Sequence, residues 1–266
     1  MKQTSKFASQ NQNKEHFEAL NETKRSMSSS IAAMEQEMEM EEEIPEGYAE
    51  IVVVRHGETT WNASRILQGQ LDSVLNEMGR QQAAAVADRL SKEPKFNAIY
   101  SSDLKRAADT AQIIANQCGL KEVILDEALR ERHLGDLQGL TMVDAQKMKP
   151  SAYKAFLALK RDQEIPGGGE SLDQLHERCV SSFRKIASQH KGERVIVVSH
   201  GGFIRELYRK AAPNRKLEGK IQNTSVSVVL ISASNNRWFI KKWGDTSHLQ
   251  GIGMLDSGFG GDKTSG

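Results

Sequence analysis

Two short runs of β-branched residues stand out in the hydrophobic pattern of the chain. Ile51 to Val54 form one run and Val195 to Val198 form the other. Continuous apolar runs of this length are typical of strands that are buried on both faces of a parallel sheet. A histidine–glycine pair follows each run, at His56-Gly57 and at His200-Gly201. The pattern therefore predicts two central strands, each with a histidine at its carboxyl end.

Helical and extended patterns alternate along the rest of the chain. Apolar positions at helical spacing predict helices over 77–92, 104–117, 142–161 with a break near Pro150, 171–189 and 203–210. Alternating or short apolar runs predict further strands over 97–101, 122–125, 225–232 and 237–243. This order predicts an α/β fold in which a mostly parallel central sheet is covered by helices on both faces, as three layers. Ligands bind such sheets at the carboxyl ends of the strands, where both histidines are expected.

The composition changes towards both ends of the chain. Residues 1–48 are polar and then acidic, and we predict a disordered acidic leader there, followed by a catalytic domain over 49–245. Residues 246–266 are rich in Gly and Ser and predict a flexible tail. The leader has the serine content of a transit peptide, but glutamates interrupt its basic character and it lacks an apolar segment for secretion. We expect a cytoplasmic protein, with organelle import as the alternative.

The overall charge and the cysteines exclude several classes of protein. The 266 residues carry a formal net charge of +1, which argues against binding to nucleic acid or to a membrane surface. No apolar run in the sequence approaches the roughly 20 residues that span a bilayer. Cys118 and Cys179 lie on separate predicted helices, and we expect both to be reduced thiols.

Arginine occurs at two positions that favour an oxyanion ligand. Arg55 directly precedes His56, and its guanidinium carries the fork of donors that matches such a ligand. Arg106 lies in the first turn of a predicted helix, where a positive charge opposes the helix dipole and a bound anion would account for it. The alternative is a surface arginine that pairs with Asp103 or Asp109.

Five residues together suggest phosphoryl transfer: Arg55, His56, Arg106, Glu131 and His200. Two histidines and a carboxylate are also metal ligands, but neighbouring arginines disfavour a divalent cation and favour a phosphoryl group. One imidazole would attack phosphorus, while the other histidine and the arginines hold the oxygens. Glu131 would protonate the leaving alkoxide. The residues alone leave open which histidine attacks.

Four segments resemble the motifs of the histidine phosphatase superfamily, also called phosphoglycerate-mutase-like. Arg55-His56-Gly57-Glu58-Thr59, followed by Trp61-Asn62, resembles the family signature. Three further motifs follow in the family's order, at Ser101 to Ala107, Leu129 to Gly135 and Ser199 to Gly202. The matches extend from about Glu50 to Trp243, so the combined resemblance is specific although each short motif alone is weak.

The resemblance implies a role for each matching residue. It implies that His56 is the nucleophile, that Arg55, Arg106 and His200 form the phosphate pocket and that Glu131 is the proton donor. It also implies a substrate-binding set of Asn62, Gln68, Gly201 and Glu170, with Glu170 at the end of the Gly167 to Glu170 turn and Gly201 allowing close backbone approach. The family uses no metal, so no metal or other cofactor is expected. The expected partner is a small phosphorylated metabolite.

Three features bear on whether the enzyme is a phosphatase or a mutase. Glu131-Arg132-His133 resembles the mutase branch, whereas Met142 replaces a lysine that mutases carry. Only a short segment, Val143 to Ile165, stands where mutases have a long insertion that shields phosphohistidine from water. We therefore predict a metal-independent phosphatase acting through phosphohistidine. The alternatives are a cofactor-dependent phosphoglycerate mutase and a catalytically silent protein that binds phosphate ligands. For His133, substrate contact and a backbone hydrogen bond are both open.

Overall fold

The computed structural model describes residues 43–158, 160–217, 219–235 and 237–253. The predicted leader falls outside this range up to residue 42, and the predicted tail falls outside it from residue 254. Within the described residues, no helix is both long and apolar enough to cross a membrane.

One sheet of six strands forms the centre of the described chain, in the order β3-β2-β4-β1-β5-β6. The strands are β1 (Tyr48–Arg55), β2 (Ala98–Ser101), β3 (Ile124–Leu125), β4 (Arg194–Ser199), β5 (Val226–Ser232) and β6 (Trp238–Asp245). The first four strands of the chain run parallel to one another, while β5 pairs antiparallel with both β1 and β6. The mostly parallel sheet that the sequence predicts is confirmed.

The helices lie close to their predicted positions. They are α1 (Thr60–Ala63), α2 (Glu77–Leu90), α3 (Lys105–Cys118), α4 (Met142–Met148), α5 (Pro150–Leu157), α6 (Leu172–Gln189) and α7 (Gly201–Ala211). The single turn of α1 lies in a segment that the sequence predicts as loop, and a capping box between Thr59 and Asn62 stabilises it. The N-cap of helix α3 is Leu104, which makes no side-chain capping bond.

Strand β1 shows why the sheet is covered on both faces. Ile51 and Val53 pack in the core formed with α6 and α7, whereas Val52 and Val54 pack in the core formed with α2 and α3. Full burial of a Val or Ile side chain contributes about 1.5–3 kcal/mol, so a run without polar residues is stable only between two helical layers. A third, smaller core joins α4 and α5 to the loop that carries Leu134 and Leu137.

The register of the central strands aligns their carboxyl ends. Arg55 of β1 is paired with Ser199 of β4, so the residues that follow both strands leave the sheet side by side. On the other side of β4, Ser101 of β2 is paired with Val198. Three strand ends therefore meet at one edge, which is where the candidate site lies.

The chain remains packed beyond residue 245, the predicted end of the domain. Residues Ser247–Leu249 form a 3-10 turn, and Leu249 is buried. The carbonyl oxygen of Gly253 accepts a hydrogen bond of 3.3 Å from Nε2 of Gln82 on α2. The first part of the predicted tail therefore belongs to the packed domain.

Candidate active site

The two predicted histidines lie next to each other at the edge of the sheet. His56 follows β1 and His200 follows β4, and both side chains are almost fully buried. Their ring centroids are 5.2 Å apart and the ring planes are inclined by 54°. This separation is close to the spacing of about 4.8 Å between neighbouring strands, so the register of β1 and β4 brings the two imidazoles together.

Hydrogen bonds distinguish the two imidazoles. Nδ1 of His56 lies 2.7 Å from the carbonyl oxygen of Gly57. Because a carbonyl oxygen only accepts, Nδ1 carries the proton and Nε2 keeps its lone pair. Neither ring nitrogen of His200 has a hydrogen-bond partner among the described residues. His56 is therefore oriented with a free nucleophilic nitrogen, an asymmetry that the sequence alone left open.

Two buried arginines stand beside the histidines. Nη1 of Arg55 donates to the carbonyl oxygen of Ile221 at 2.6 Å. Arg106 donates from Nη1 to the Leu71 carbonyl at 2.9 Å and from Nη2 to the Gly69 carbonyl at 2.7 Å. Its buried Nε has no partner in the described part of the chain. Arg106 is thus locked at one end by loop carbonyls, with Nε left as a donor.

The surface ion pair that was the alternative for Arg106 is wrong. Asp103 pairs with Arg130, and Asp109 pairs with Lys105. The N-terminus of α3 does attract an anion, since Oδ1 of Asp72 accepts from the backbone N–H of Lys105 at 2.9 Å. Arg106 itself is buried in the site.

Burial and mutual repulsion set the charge state of the site. Burial lowers the pKa of His56 well below its usual value, and Arg106 and Arg55 lower it further. The pKa of His200 is lowered in the same way, by burial first and then by Arg106. Burial also lowers the pKa of Arg106 to about 10. The site therefore holds neutral imidazoles beside buried cations, an arrangement that attracts an anion.

Glu131 reaches the same place from the acid loop, defined here as residues 128–135. Its Oε2 accepts from the backbone N–H of Gly202 at 3.0 Å, and its Oε1 accepts from that of Phe203 at 3.2 Å. These N–H groups belong to the first turn of α7, where a carboxylate is favoured by unpaired donors and by the helix dipole. Helix α7 starts at Gly201, directly after His200, so one turn positions both the histidine and the carboxylate.

A sequence model of the histidine phosphatase superfamily, branch 1, matches residues 51–246 of this chain. The chain belongs to that superfamily. The resemblance carried by the four motifs is confirmed.

Relatives in the superfamily match over most of their own length. The chain is 59% identical over 219 residues to phosphoglycerate mutase-like protein 4 of Arabidopsis thaliana, covering 82% of this chain and 95% of the relative. It is 52% identical over 213 residues to the metal-independent phosphoserine phosphatase of the same plant, covering 80% and 88%. The native structure of a mycobacterial glucosyl-3-phosphoglycerate phosphatase superposes with a TM-score of 0.65 at 32% identity, covering 75% of this chain and all of that one.

The substrate-binding residues expected from the superfamily fall into two groups. Asn62 and Gln68 belong to one network, because the hydroxyl of Thr59 donates to Oδ1 of Asn62 at 3.0 Å and to Oε1 of Gln68 at 3.1 Å. Glu170 lies in another, where both carboxylate oxygens accept hydrogen bonds from Arg178. For His133 the backbone alternative holds, since Nδ1 accepts from the N–H of Gly135 at 3.1 Å.

Three supporting residues were missed by the sequence analysis. Oγ1 of Thr110 accepts from the Gly57 N–H at 3.0 Å, and Nδ2 of Asn223 donates to the His56 carbonyl at 2.9 Å. Arg178 contacts the acid loop. The sequence offered one signal for Thr110: it lies four residues after Arg106 on the same helix, and therefore on the same helix face. Position 57 also requires glycine for a steric reason, since a β-carbon there would lie 2.5 Å from the Gly79 carbonyl oxygen.

The buried histidines predict a specific loss of stability in acid. An unfolded histidine titrates near pH 6.5, and the folded pKa of His200 lies well below that. Between these values the unfolded state binds more protons, so stability falls as the pH falls, by up to about 1.4 kcal/mol per pH unit for one histidine. In chemical denaturation, the free energy of unfolding of His200→Asn should rise relative to that of wild type as the pH falls below 6.5. Parallel stability curves would contradict the lowered pKa.

Proposed function

We propose that this protein is a metal-independent phosphatase that hydrolyses small phosphomonoesters through a phosphohistidine at His56. The orientation of His56 carries the proposal, because the 2.7 Å contact from Nδ1 to the Gly57 carbonyl leaves Nε2 as the nucleophile. The second neutral imidazole and the two buried arginines support it, since cations favour the charge on a phosphoryl group.

In the first step, Nε2 of His56 attacks phosphorus and the ester P–O bond breaks. Arg55, Arg106 and His200 hold the phosphoryl oxygens, with Nε of Arg106 and the one N–H of the neutral His200 ring as donors that have no described partner in the protein. Protonated Glu131 gives its proton to the leaving alkoxide and becomes a carboxylate. The products of this step are an alcohol and a phosphohistidine.

In the second step, a water molecule takes the place of the alcohol. The Glu131 carboxylate removes a proton from the water, whose oxygen attacks phosphorus while the P–N bond breaks. His56 is restored as a neutral imidazole and Glu131 as the acid. The backbone N–H groups of Gly202 and Phe203 keep the Glu131 carboxylate in place between the two steps.

Arg132 indicates that the substrate carries a second negative group. The side chain is 3% exposed and burial lowers its pKa to about 10. Its Nε donates to the Glu170 carbonyl at 3.0 Å, but no described carboxylate lies within ion-pair distance. Glu170, Glu131 and Glu206 offset the charge of Arg132 only from beyond ion-pair distance, so a substrate carboxylate in direct contact would stabilise it further. Together with the name of the phosphoserine phosphatase relative, this supports a small phosphorylated acid such as phosphoserine.

Phosphoglycerate mutase activity is the second candidate, supported by the mutase-like relative and by the sequence Glu131-Arg132-His133. Hydrolysis is favoured because the segment that joins the acid loop to the Pro166 turn is short. Only α4 and α5, of seven and eight residues, separate the acid loop from the Pro166 turn. A short segment shields a phosphohistidine from water less than a long insertion would.

Assays of phosphoserine and 3-phosphoglycerate with and without a chelator separate these candidates. We expect phosphate release from phosphoserine at a rate that is unchanged by EDTA, and slow or no conversion of 3-phosphoglycerate to 2-phosphoglycerate when a bisphosphate primer is present. Phosphate release that requires a divalent metal would contradict the proposal. Isomerisation that exceeds hydrolysis would transfer the assignment to the mutase.

A further inference from the structure

One arginine makes three of the contacts that fasten the acid loop to the rest of the protein, beside those of Gln70 and Ser199. Arg178 lies on α6, and its guanidinium has five N–H donors. Nη1 donates to the carbonyls of Ala128 at 3.0 Å and Arg130 at 2.7 Å, and Nη2 donates to that of Glu131 at 3.1 Å. Three hydrogen bonds therefore hold the backbone that carries Glu131.

The remaining two donors of Arg178 bind Glu170. Nε donates to Oε1 at 2.9 Å and Nη2 donates to Oε2 at 2.8 Å, so the pair is bidentate. The side chains are only 19% and 20% exposed, where solvent weakens the pair less than on an open surface. With these contacts every N–H of the guanidinium has an acceptor. A lysine at this position has three donors without the planar fork.

Glu170 binds the acid loop directly as well. Its Oε2 accepts from the backbone N–H of His133 at 2.8 Å, and its own N–H donates to the His133 carbonyl at 2.8 Å. The turn before it also touches the loop, because a β-carbon at Gly135 would lie 2.2 Å from the Pro166 carbonyl oxygen. Glu170 thus links the loop to Arg178 and to the turn at once.

We propose that Glu170 and Arg178 are positioning residues that hold Glu131 in place for proton transfer, rather than substrate ligands. This inference rests on the proposed phosphohistidine reaction. Both oxygens of Glu170 are engaged by Arg178 and His133, which leaves its side chain committed to the loop. A displacement of about 1 Å at a catalytic group is enough to cost about 10²-fold in rate, so a loosened loop slows the step that Glu131 serves.

The choice of leaving group separates positioning of the acid from general damage. p-Nitrophenolate leaves without protonation, whereas the serine alkoxide of phosphoserine needs the proton of Glu131. The burst of p-nitrophenolate under pre-steady-state conditions therefore reports phosphorylation of His56 without the acid. Single turnover of phosphoserine reports the phosphorylation of His56 when proton transfer from Glu131 is required.

The test compares Glu170→Gln, Arg178→Lys and the double variant with wild type. Lys92→Gln serves as the control, because it removes one charge of the exposed Lys92–Asp88 pair. We expect single turnover of phosphoserine to fall by about 10²-fold in each variant, with KM little changed and the p-nitrophenyl phosphate burst close to wild type. The double variant should lose no more than the worse single variant, because both changes break one unit.

Several results would overturn the inference. Equal losses on both substrates, an unchanged phosphoserine turnover, or a rise in KM with unchanged kcat would each show that the pair does not position Glu131. If Arg178→Lys lowers the melting temperature sharply, Glu170→Gln decides the question, since glutamine keeps the shape and an acceptor for His133 N–H. A wild-type enzyme that forms no phosphohistidine would instead overturn the proposed function.

Discussion

Replacing His56 with alanine is expected to lower phosphate release from phosphoserine by about 10⁴-fold or more, because the change removes the nucleophile itself. Among the described residues, only His56 is a buried histidine whose Nδ1 proton is held by a backbone carbonyl, which leaves the lone pair on Nε2. His200 cannot substitute for it without a similar contact, since neither of its ring nitrogens has a described partner. A stopped or continuous assay of released phosphate measures this loss of activity.

The matched control is His190→Ala. His190 is also largely buried. Its ring hydrogen-bonds Tyr100 and Glu193 just after the end of α6, away from the carboxyl ends of the strands. Its replacement should leave phosphate release near the wild-type rate. If His56→Ala and His190→Ala behave alike, or if His56→Ala keeps more than a small fraction of the activity, the assignment of the nucleophile is wrong.

Replacing Glu131 with glutamine is expected to reduce phosphoserine hydrolysis by about 10²- to 10⁴-fold, the usual contribution of general acid–base catalysis. Glutamine keeps the side-chain shape and one of the two acceptor oxygens that bind the N-terminal N–H groups of α7, so the loop should stay close to its place while the transferable proton is lost. The burst of p-nitrophenolate from p-nitrophenyl phosphate should persist, because that leaving group needs no proton. Slow hydrolysis of the phosphohistidine should follow.

The step affected in Glu131→Gln can be followed directly. A protein that reacts with p-nitrophenyl phosphate but hydrolyses the intermediate slowly should accumulate phosphohistidine, and mass spectrometry of the quenched enzyme would detect it. An unchanged rate with phosphoserine would contradict the role of Glu131 as acid. Loss of the burst itself would instead point to a pocket residue.

The strand ends were predictable because their pattern is local. The β-branched residues from Ile51 to Val54 can be buried only in a covered sheet, and the equivalent run of β4 behaves alike. Two such strands in a parallel sheet bring the residues after them to the same edge. His56 and His200 therefore followed from the hydrophobic pattern without any knowledge of their contacts.

Contacts to backbone atoms were not predictable in the same way. The Nδ1 contact of His56 depends on where the Gly57 carbonyl points, and the locking of Arg106 depends on the path of the loop through Gly69 and Leu71. Arg178 reaches carbonyls that any residue would offer, so no side-chain pattern marks its targets. Asp72 also caps α3 through the Lys105 N–H, and its distance along the chain hid this contact.

Glu170 shows the limit of transferring a role with a motif. Its place beside a glycine-rich turn favoured a residue that borders the substrate. The structure places its carboxylate on Arg178 and on the backbone of His133 instead. The motif position predicts a residue beside the substrate, whereas the contacts of Glu170 support the proposed role of holding the acid loop.

Trapping the intermediate tests the central claim most directly. Wild-type enzyme mixed with phosphoserine, quenched in base within one turnover and digested should yield one acid-labile phosphopeptide that carries the phosphate on His56, with no labelling in His56→Ala. EDTA in the reaction should leave the labelling unchanged. Phosphate on His200 or on another residue, or turnover without any labelled peptide, would contradict the account.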